Sequence, residues 1–204
     1  AEDTLQTYDK AGNKISTTDP NGTLVVCAYD KNNRLTSRTM TLNGGALGAT
    51  SHSFGYDGAN RMIIADANES TSWSSAIDWT YNTLGKVETE KQVIDGYNSG
   101  NGRTITYTYD VEGNRTTTTY PVGGNLIKFD RDALDRVDKV SLGNVQVADY
   151  TFSGARVIKK TYPGSHTTKL YDGYGRITDI WHKDTSSGNN LARFNYWYDK
   201  SHQI

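Results

Sequence analysis

The dipeptide Tyr-Asp returns along this chain, each time with a basic residue a few positions behind it. It stands at Tyr8-Asp9, Tyr29-Asp30, Tyr56-Asp57, Tyr109-Asp110, Tyr171-Asp172 and Tyr198-Asp199. Degenerate copies stand at Tyr81-Asn82, Arg131-Asp132 and Phe152-Ser153. Self-similarity at spacings of 19 to 28 residues constrains the architecture before any other signal does. A short repeat cannot bury its apolar surface alone and must stack on its neighbours. The same feature directs function towards structure and interaction, because a residue that recurs in every unit is seldom a catalytic one.

The pattern extends outward from the Tyr, taken as position zero. Two residues earlier stand Gln6, Cys27, Phe54, Trp79, Tyr107, Phe129, Tyr150, Lys169 and Tyr196, mostly apolar or aromatic. A spacing of two puts them on the same strand face as the Tyr. Segments such as Ile105-Thr106-Tyr107-Thr108-Tyr109 alternate in the manner of a strand with one buried face. The Asp at plus one suits the first position of a type I turn. At plus four stand Gly12, Asn33, Asn60, Gly85, Gly113, Asp135, Gly175 and His202, all tolerant of the left-handed region. This predicts a short hairpin closed by a left-handed residue and a bulge. Phe152-Ser153-Gly154-Ala155-Arg156 is one residue shorter and predicts a different tight turn. A basic residue then opens the second strand: Lys14, Arg34, Arg61, Lys86, Arg115, Arg136, Arg156 and Arg176. An apolar residue follows in most copies, including Ile15, Leu35, Met62 and Ile204. Polar loops, Asp19-Pro20-Asn21-Gly22 among them, join one hairpin to the next. The reading is an all-β array of about nine antiparallel hairpins, one repeat segment over residues 1–204, in a curved, spiralling strip. Aromatic residues at equivalent positions are expected to stack in a ladder across the strands.

Composition sets the outer limits. Hydrophobic content of 35% suits a thin sheet better than a thick core, while 14 Tyr, 4 Trp and 4 Phe with only 3 Pro argue against disorder. A net charge of −1 offers no footprint for nucleic acid. No apolar run is long enough to span a membrane. Cys27 is alone, so neither a disulfide framework nor a zinc site follows. The chain opens at Ala1 and stops at Ile204, just past the ninth turn, as a segment of a longer protein would.

Hairpins of the form Tyr-Asp-x-x-Gly-Asn/Arg-Arg/Leu on a spacing of 20-odd residues resemble the YD repeats of bacterial RHS proteins. Related repeats occur in the shells of insecticidal toxin complexes, in wall-associated proteins and in teneurins. The resemblance implies a β-strip wound into a hollow shell around a C-terminal toxin or other polypeptide cargo. It further implies that the partners are the rest of the same polypeptide and that cargo, and that the protein is secreted or held at the bacterial surface. The self-cleavage motif of such shells, Asp-Pro-x-Gly-Leu near the C-terminal end, has no counterpart here. Asp19-Pro20-Asn21-Gly22 lies near the N-terminus and is followed by Thr23, so it reads as a turn.

The residues assigned a role are therefore structural: Tyr8, Asp9, Gly12, Tyr29, Asp30, Arg34, Tyr56, Asp57, Arg61, Tyr81, Gly85, Tyr109, Asp110, Gly113, Arg136, Tyr171, Asp172, Gly175, Arg176, Tyr198 and Asp199. No catalytic residue, cofactor site or metal site is expected. Asp130, Asp132 and Asp135 cluster, but Asp135 and Ser141 stand where a calcium loop needs Gly and Glu. His52, His166, His182 and His202 share no metal-ligand spacing. The basic residues are expected in cross-strand ion pairs rather than on a polyanion. The alternative function is a cell-surface adhesion or glycan-binding face, with Trp181 and Trp197 as stacking platforms; Trp79 belongs to the inward ladder. Open sheet ends predict self-association of the isolated segment.

Overall fold

The computed structural model describes residues 3–68, 74–95 and 101–199. Trp73, His202 and Ile204 lie outside the described residues. Among those described, every regular element is a strand. The chain packs as two compact units, residues 1–107 and 108–204. The expected run of hairpins thus falls into two units.

The first unit holds β1 (Leu5–Tyr8), β2 (Lys14–Thr18), β3 (Leu24–Tyr29), β4 (Leu35–Thr41), β5 (Ser51–Tyr56), β6 (Met62–Asn68), β7 (Ser74–Tyr81), β8 (Val87–Ile94) and the start of β9 (Arg103–Tyr109). The second holds the end of β9, β10 (Arg115–Thr119), β11 (Leu126–Arg131), β12 (Val137–Leu142), β13 (Val145–Ser153), β14 (Arg156–Thr161), β15 (Ser165–Tyr171), β16 (Ile177–Asp184) and β17 (Asn190–Asn195). Within each unit, successive strands pair antiparallel with their sequence neighbours. Strand one of most hairpins ends at position zero, as expected. The last departs from this: β17 stops at Asn195, although Tyr196 N still donates to Thr178 O at 2.8 Å.

Each unit is a sheet without a packed interior. Only Thr23, Thr118 and Ala148 are buried among the described residues. In the first unit the register places Val25, Cys27, Arg38, Met40, His52, Phe54, Ala65, Ala67 and Ile77 on the face of the Tyr side chains. The opposite face carries Ser37, Thr39, Ser51, Ser53 and Asp66. One face is mixed apolar and the other is rich in hydroxyls, as period-two alternation dictates.

The turns follow the sequence reading. Gly12, Asn33, Asn60, Gly85, Gly113, Asp135 and Gly175 all have positive φ, between 58° and 85°. The backbone N–H at plus four donates to the carbonyl at plus one, as Gly12 N does to Asp9 O at 3.2 Å and Asn33 N to Asp30 O at 3.0 Å. The short copy turns on Gly154-Ala155 between the paired Ser153 and Arg156, with Gly154 at φ 56°. A positive φ at the first central position alone is the requirement of a type II′ turn. Asp19-Pro20-Asn21-Gly22 is a turn of the same construction as the Tyr-Asp turns. Gly22 has φ 85°, and Asp19 Oδ1 accepts from Thr23 N at 2.8 Å. Two further two-residue turns, Gly143-Asn144 between β12 and β13 and Pro163-Gly164 between β14 and β15, were not read from the sequence.

Candidate functional site: the junction between hairpins

The repeated residues meet at the turn margin, where one hairpin abuts the next. The Asp at plus one organises its own turn. Asp57 Oδ1 accepts from Ala59 N and Arg61 N, both at 2.9 Å, and Asp30, Asp132 and Asp172 do the same for their plus-three and plus-five amides. Asn82 performs the same acceptance without charge, towards Leu84 N and Lys86 N at 3.0 Å. Asp9 and Asp110 likewise accept from Asn13 N and Asn114 N at 2.8 Å.

The second carboxylate oxygen holds the plus-five side chain. Asp30 Oδ2 accepts from Arg34 Nε at 2.6 Å, Asp57 Oδ2 from Arg61 Nε at 2.7 Å, and Asp172 Oδ2 from Arg176 Nε at 2.7 Å. Arg136 is paired with Asp132 in the same way. Each pair lies inside one turn, so the expected cross-strand pairing is corrected here to an i,i+4 pairing fixed by the turn. The free end of each guanidinium then reaches the next hairpin. Arg34 lies 4.7 Å from the Tyr56 ring centroid, Arg61 4.4 Å from Tyr81, Arg136 4.0 Å from Phe152 and Arg176 4.4 Å from Tyr198. Arg156 is 5.6 Å from Tyr171. The expected ladder of rings therefore forms with guanidinium groups as rungs at these positions. A cation over a ring face is worth about 0.5–1 kcal/mol when exposed and more when shielded from water.

The Tyr hydroxyl supplies the second link. Between Ala28 and Tyr29 the register slips by one, leaving Thr36 as an extra residue, and equivalent slips recur at Thr7/Tyr8, Gly55/Tyr56, Thr80/Tyr81, Thr151/Phe152 and Leu170/Tyr171. Pairing between neighbouring hairpins begins only past this bulge, at Ser37↔Ser53 for β4 and β5. The carbonyl just after the basic residue is thus short of the ladder, and a buried carbonyl left bare is costly. The next Tyr hydroxyl takes it: Tyr29 to Lys14 O at 3.0 Å, Tyr56 to Leu35 O at 3.0 Å and Tyr81 to Met62 O at 2.6 Å. Tyr171 donates to Val157 O at 3.0 Å and Tyr198 to Ile177 O at 2.8 Å. Burial, with Cys27 and Asp9 adding to it, pushes the Tyr29 hydroxyl above its ordinary value, so it stays a donor.

Two copies depart from the sequence alignment. Lys14 and Arg115 share the charge of Arg34 but stand one residue later, at plus six. The structurally equivalent residues are Asn13 and Asn114. Asn13 Nδ2 joins Asp9 Oδ2 to Asn33 Oδ1, each at 2.9 Å. Asn114 Nδ2 joins Asp110 Oδ2 at 3.3 Å to Asp135 Oδ2 at 2.8 Å. Arg34 Nη1 also donates to Asn60 Oδ1 at 2.9 Å. The left-handed residue at plus four, when it is Asn or Asp, is therefore also an acceptor for the preceding hairpin, a duty that conformational tolerance alone did not reveal.

Phe152 holds the position of the Tyr and keeps the ring beneath Arg136, but it has no hydroxyl for the Val137 carbonyl. Phe152→Tyr is expected to stabilise the protein by about 0.5–1.5 kcal/mol, and Tyr171→Phe to destabilise it by a similar amount. Urea melts of both variants read this; a Phe152→Tyr midpoint at or below wild type would count against the hydroxyl link.

These carboxylates are poor candidates for proton chemistry at neutral pH. Asp30, Asp57 and Asp110 are held below the usual carboxylate range, first by the plus-five backbone N–H. Asp9 and Asp132 are held down first by the side chains of Asn13 and Arg136. At Asp172 burial pulls upward, and the Arg176 N–H and guanidinium outweigh it. A general base works best with a pKa near the working pH. The indoles chosen from the sequence sit apart from the junction. Trp181 pairs with Thr168 across the sheet, with Asp179 Oδ1 accepting its Nε1–H at 3.2 Å and Arg193 and Lys183 over its ring at 4.3 and 4.5 Å. Trp197 is 78% exposed. Trp79 Nε1 donates to Glu90 Oε2 at 3.3 Å on the Tyr face.

The RHS repeat family model matches residues 8–46 and 97–125. No curated protein matches the chain. Among solved structures, the Photorhabdus luminescens Tc holotoxin pore matches with a TM-score of 0.71 at 16% identity, over 98% of this chain and 11% of that one. TcdB2-TccC3 matches with a TM-score of 0.74 at 17% identity, and TcdB2-TccC3 without its hypervariable C-terminal region with 0.73 at 16%, each over 98% of this chain and 11% of the other. The chain thus spans about a ninth of the length of these chains and shares their fold over that stretch. The RHS repeat model matched at these two stretches, with the same turn, bulge and junction recurring between them and beyond, supports the RHS/YD-repeat resemblance read from the sequence.

Proposed function

We infer that the chain is a non-catalytic wall segment of an RHS-type shell that encloses a polypeptide cargo. The observation that carries this reading is the junction. Turn, bulge, Tyr hydroxyl and guanidinium are committed to joining one hairpin to the next, which makes a continuous wall from units that are marginal alone. The likeness of fold to the Tc toxin chains supports it. Release to a secreted or surface location belongs to the same reading. Electron microscopy of the full-length polypeptide tests it. The expected result is a walled particle with internal density, whose enclosed segment resists protease until the wall is opened. A solid or extended rod with no interior would overturn it. The glycan-surface alternative has less support, because the half-buried Trp181 ring is already covered by Arg193 and Lys183.

A further inference from the structure

Arg38 and His52 form a pair that the junction does not use. Arg38 stands in β4, directly opposite Cys27 of β3 and His52 of β5, on the face of the Tyr side chains. Arg34, Arg61, Arg136 and Arg176 each hold a carboxylate. Arg38 holds a neutral ring instead, with Nε 3.2 Å and Nη2 3.1 Å from His52 Nδ1. A guanidinium has only donors, so Nδ1 is the bare acceptor and the imidazole proton sits on Nε2. Burial, and then the Arg38 charge, push the His52 imidazole below its ordinary value, which keeps it neutral at neutral pH. Phe54 stacks against the ring, the centroids 6.3 Å apart. Arg38, His52 and their neighbours Val25, Cys27, Met40 and Phe54 are all half-buried. Among the described residues no carboxylate pairs with Arg38, and nothing accepts a hydrogen bond from its Nη1 or from His52 Nε2. The pair is thus a donor-only patch with one uncompensated charge on an otherwise apolar stretch of sheet. A half-buried cation without a counter-ion gives up water and gains no partner in return.

We propose that Arg38 and His52 bind a carboxylate, carried by an extended polypeptide that sets an acidic side chain between apolar ones. The planar guanidinium fork matches a carboxylate, and the His52 Nε2–H adds a donor beside it. Met40 follows Arg38 by two residues and Phe54 follows His52 by two. Because β4 and β5 run antiparallel, Met40 and Phe54 flank the pair on its two sides. In an extended chain, residues i−2, i and i+2 share a face at steps of about 7 Å. A segment of the form apolar-x-Glu-x-apolar therefore places its carboxylate on the pair and its apolar side chains over Met40 and Phe54. A small free anion would leave that apolar surface wet. The site stands whether or not the wall encloses a cargo.

The test titrates the full chain at neutral pH with a blocked pentapeptide, acetyl-Val-Thr-Glu-Thr-Val-amide, and with its Gln counterpart. Binding is read by NMR from the Arg38 Nε–H and the His52 ring. The expected result is a saturable shift with the Glu peptide and binding of the Gln peptide weaker by about tenfold or more. Arg38→Gln should abolish that preference. His52→Phe, which keeps a ring beside Phe54, should reduce it and serves where the first variant fails to fold. Equal affinity for the two peptides, or an undiminished preference in either folded variant, would overturn the proposal. So would sodium acetate or inorganic phosphate shifting the same resonances at the same concentrations as the Glu peptide, which would leave an anion site without a polypeptide. A full-length particle with no interior would sink the enclosure and leave these titrations in force.

Discussion

A chain carrying Gly175→Val is expected to lose about 2–4 kcal/mol of stability. Gly175 has φ +81°, a region that costs an ordinary L-residue about 1–2 kcal/mol, and a β-branched one more. A Cβ there would also fall on the Arg156 guanidinium, 2.5 Å from Cζ. The guanidinium would have to shift, at the expense of its contact to Tyr171 at 5.6 Å, worth about 0.5–1 kcal/mol. Gly12 provides the control. Its φ is +85°, but a Cβ would meet nothing within 4 Å, so Gly12→Val should cost the backbone term alone. A double-mutant cycle with Arg156→Ala separates the two terms, because the arginine and the valine compete for one space. Urea midpoints measure all five proteins, the four of the cycle and Gly12→Val. Equal losses at Gly12 and Gly175, with no coupling to Arg156, would mean the guanidinium is not packed over the turn.

The contrast between those two glycines shows where the sequence was legible. The turn was legible because its requirements are local. An acceptor at plus one and a left-handed residue at plus four lie within five residues of each other, and both appear as residue types. The match of fold class and family followed from repeating that unit. The junction was not legible, because its partners are some 20 residues apart and one of them is a backbone carbonyl. No residue type marks Leu35 O as lying short of the ladder; only the bulge at Thr36 and the start of pairing at Ser37 do. The same limit explains the misplaced basic residues. Aligning by charge put Lys14 beside Arg34, whereas aligning by backbone position puts Asn13 there, and Asn13 bridges to Asn33 in place of a guanidinium. The division into two units also has no local signature, since hairpins on both sides of β9 follow one pattern.

Acidification is expected to dismantle the turns together. Asp9, Asp30, Asp57, Asp110, Asp132 and Asp172 have folded values below the unfolded 3.8, and Asp184 falls to about 2, chiefly through the Ser186 hydroxyl and then the Ser187 N–H and hydroxyl. A depressed carboxylate binds its proton more readily once unfolded. Its contribution is therefore complete above the unfolded value and is lost as pH falls through the folded ones. The window runs downward from about pH 4 towards pH 2. Protonation removes the charge that holds Arg34, Arg61, Arg136 and Arg176, so each guanidinium loses the anchor that aims it at the next ring. The loss at one turn is small, but it recurs down the array, where each hairpin depends on its neighbours. Urea midpoints should be level from pH 7 to about pH 5 and then fall steeply. Asp57→Asn provides the internal check. Asn82 already closes its turn through Leu84 N and Lys86 N without a charge, so the substituted turn should survive at pH 7 at the cost of its Arg61 pair. Having no carboxylate to protonate, it should lose less on acidification than wild type does. Identical pH profiles for the two proteins would show that Asp57 does not carry its share of the acid sensitivity, and a level wild-type profile down to pH 2 would refute the mechanism as a whole.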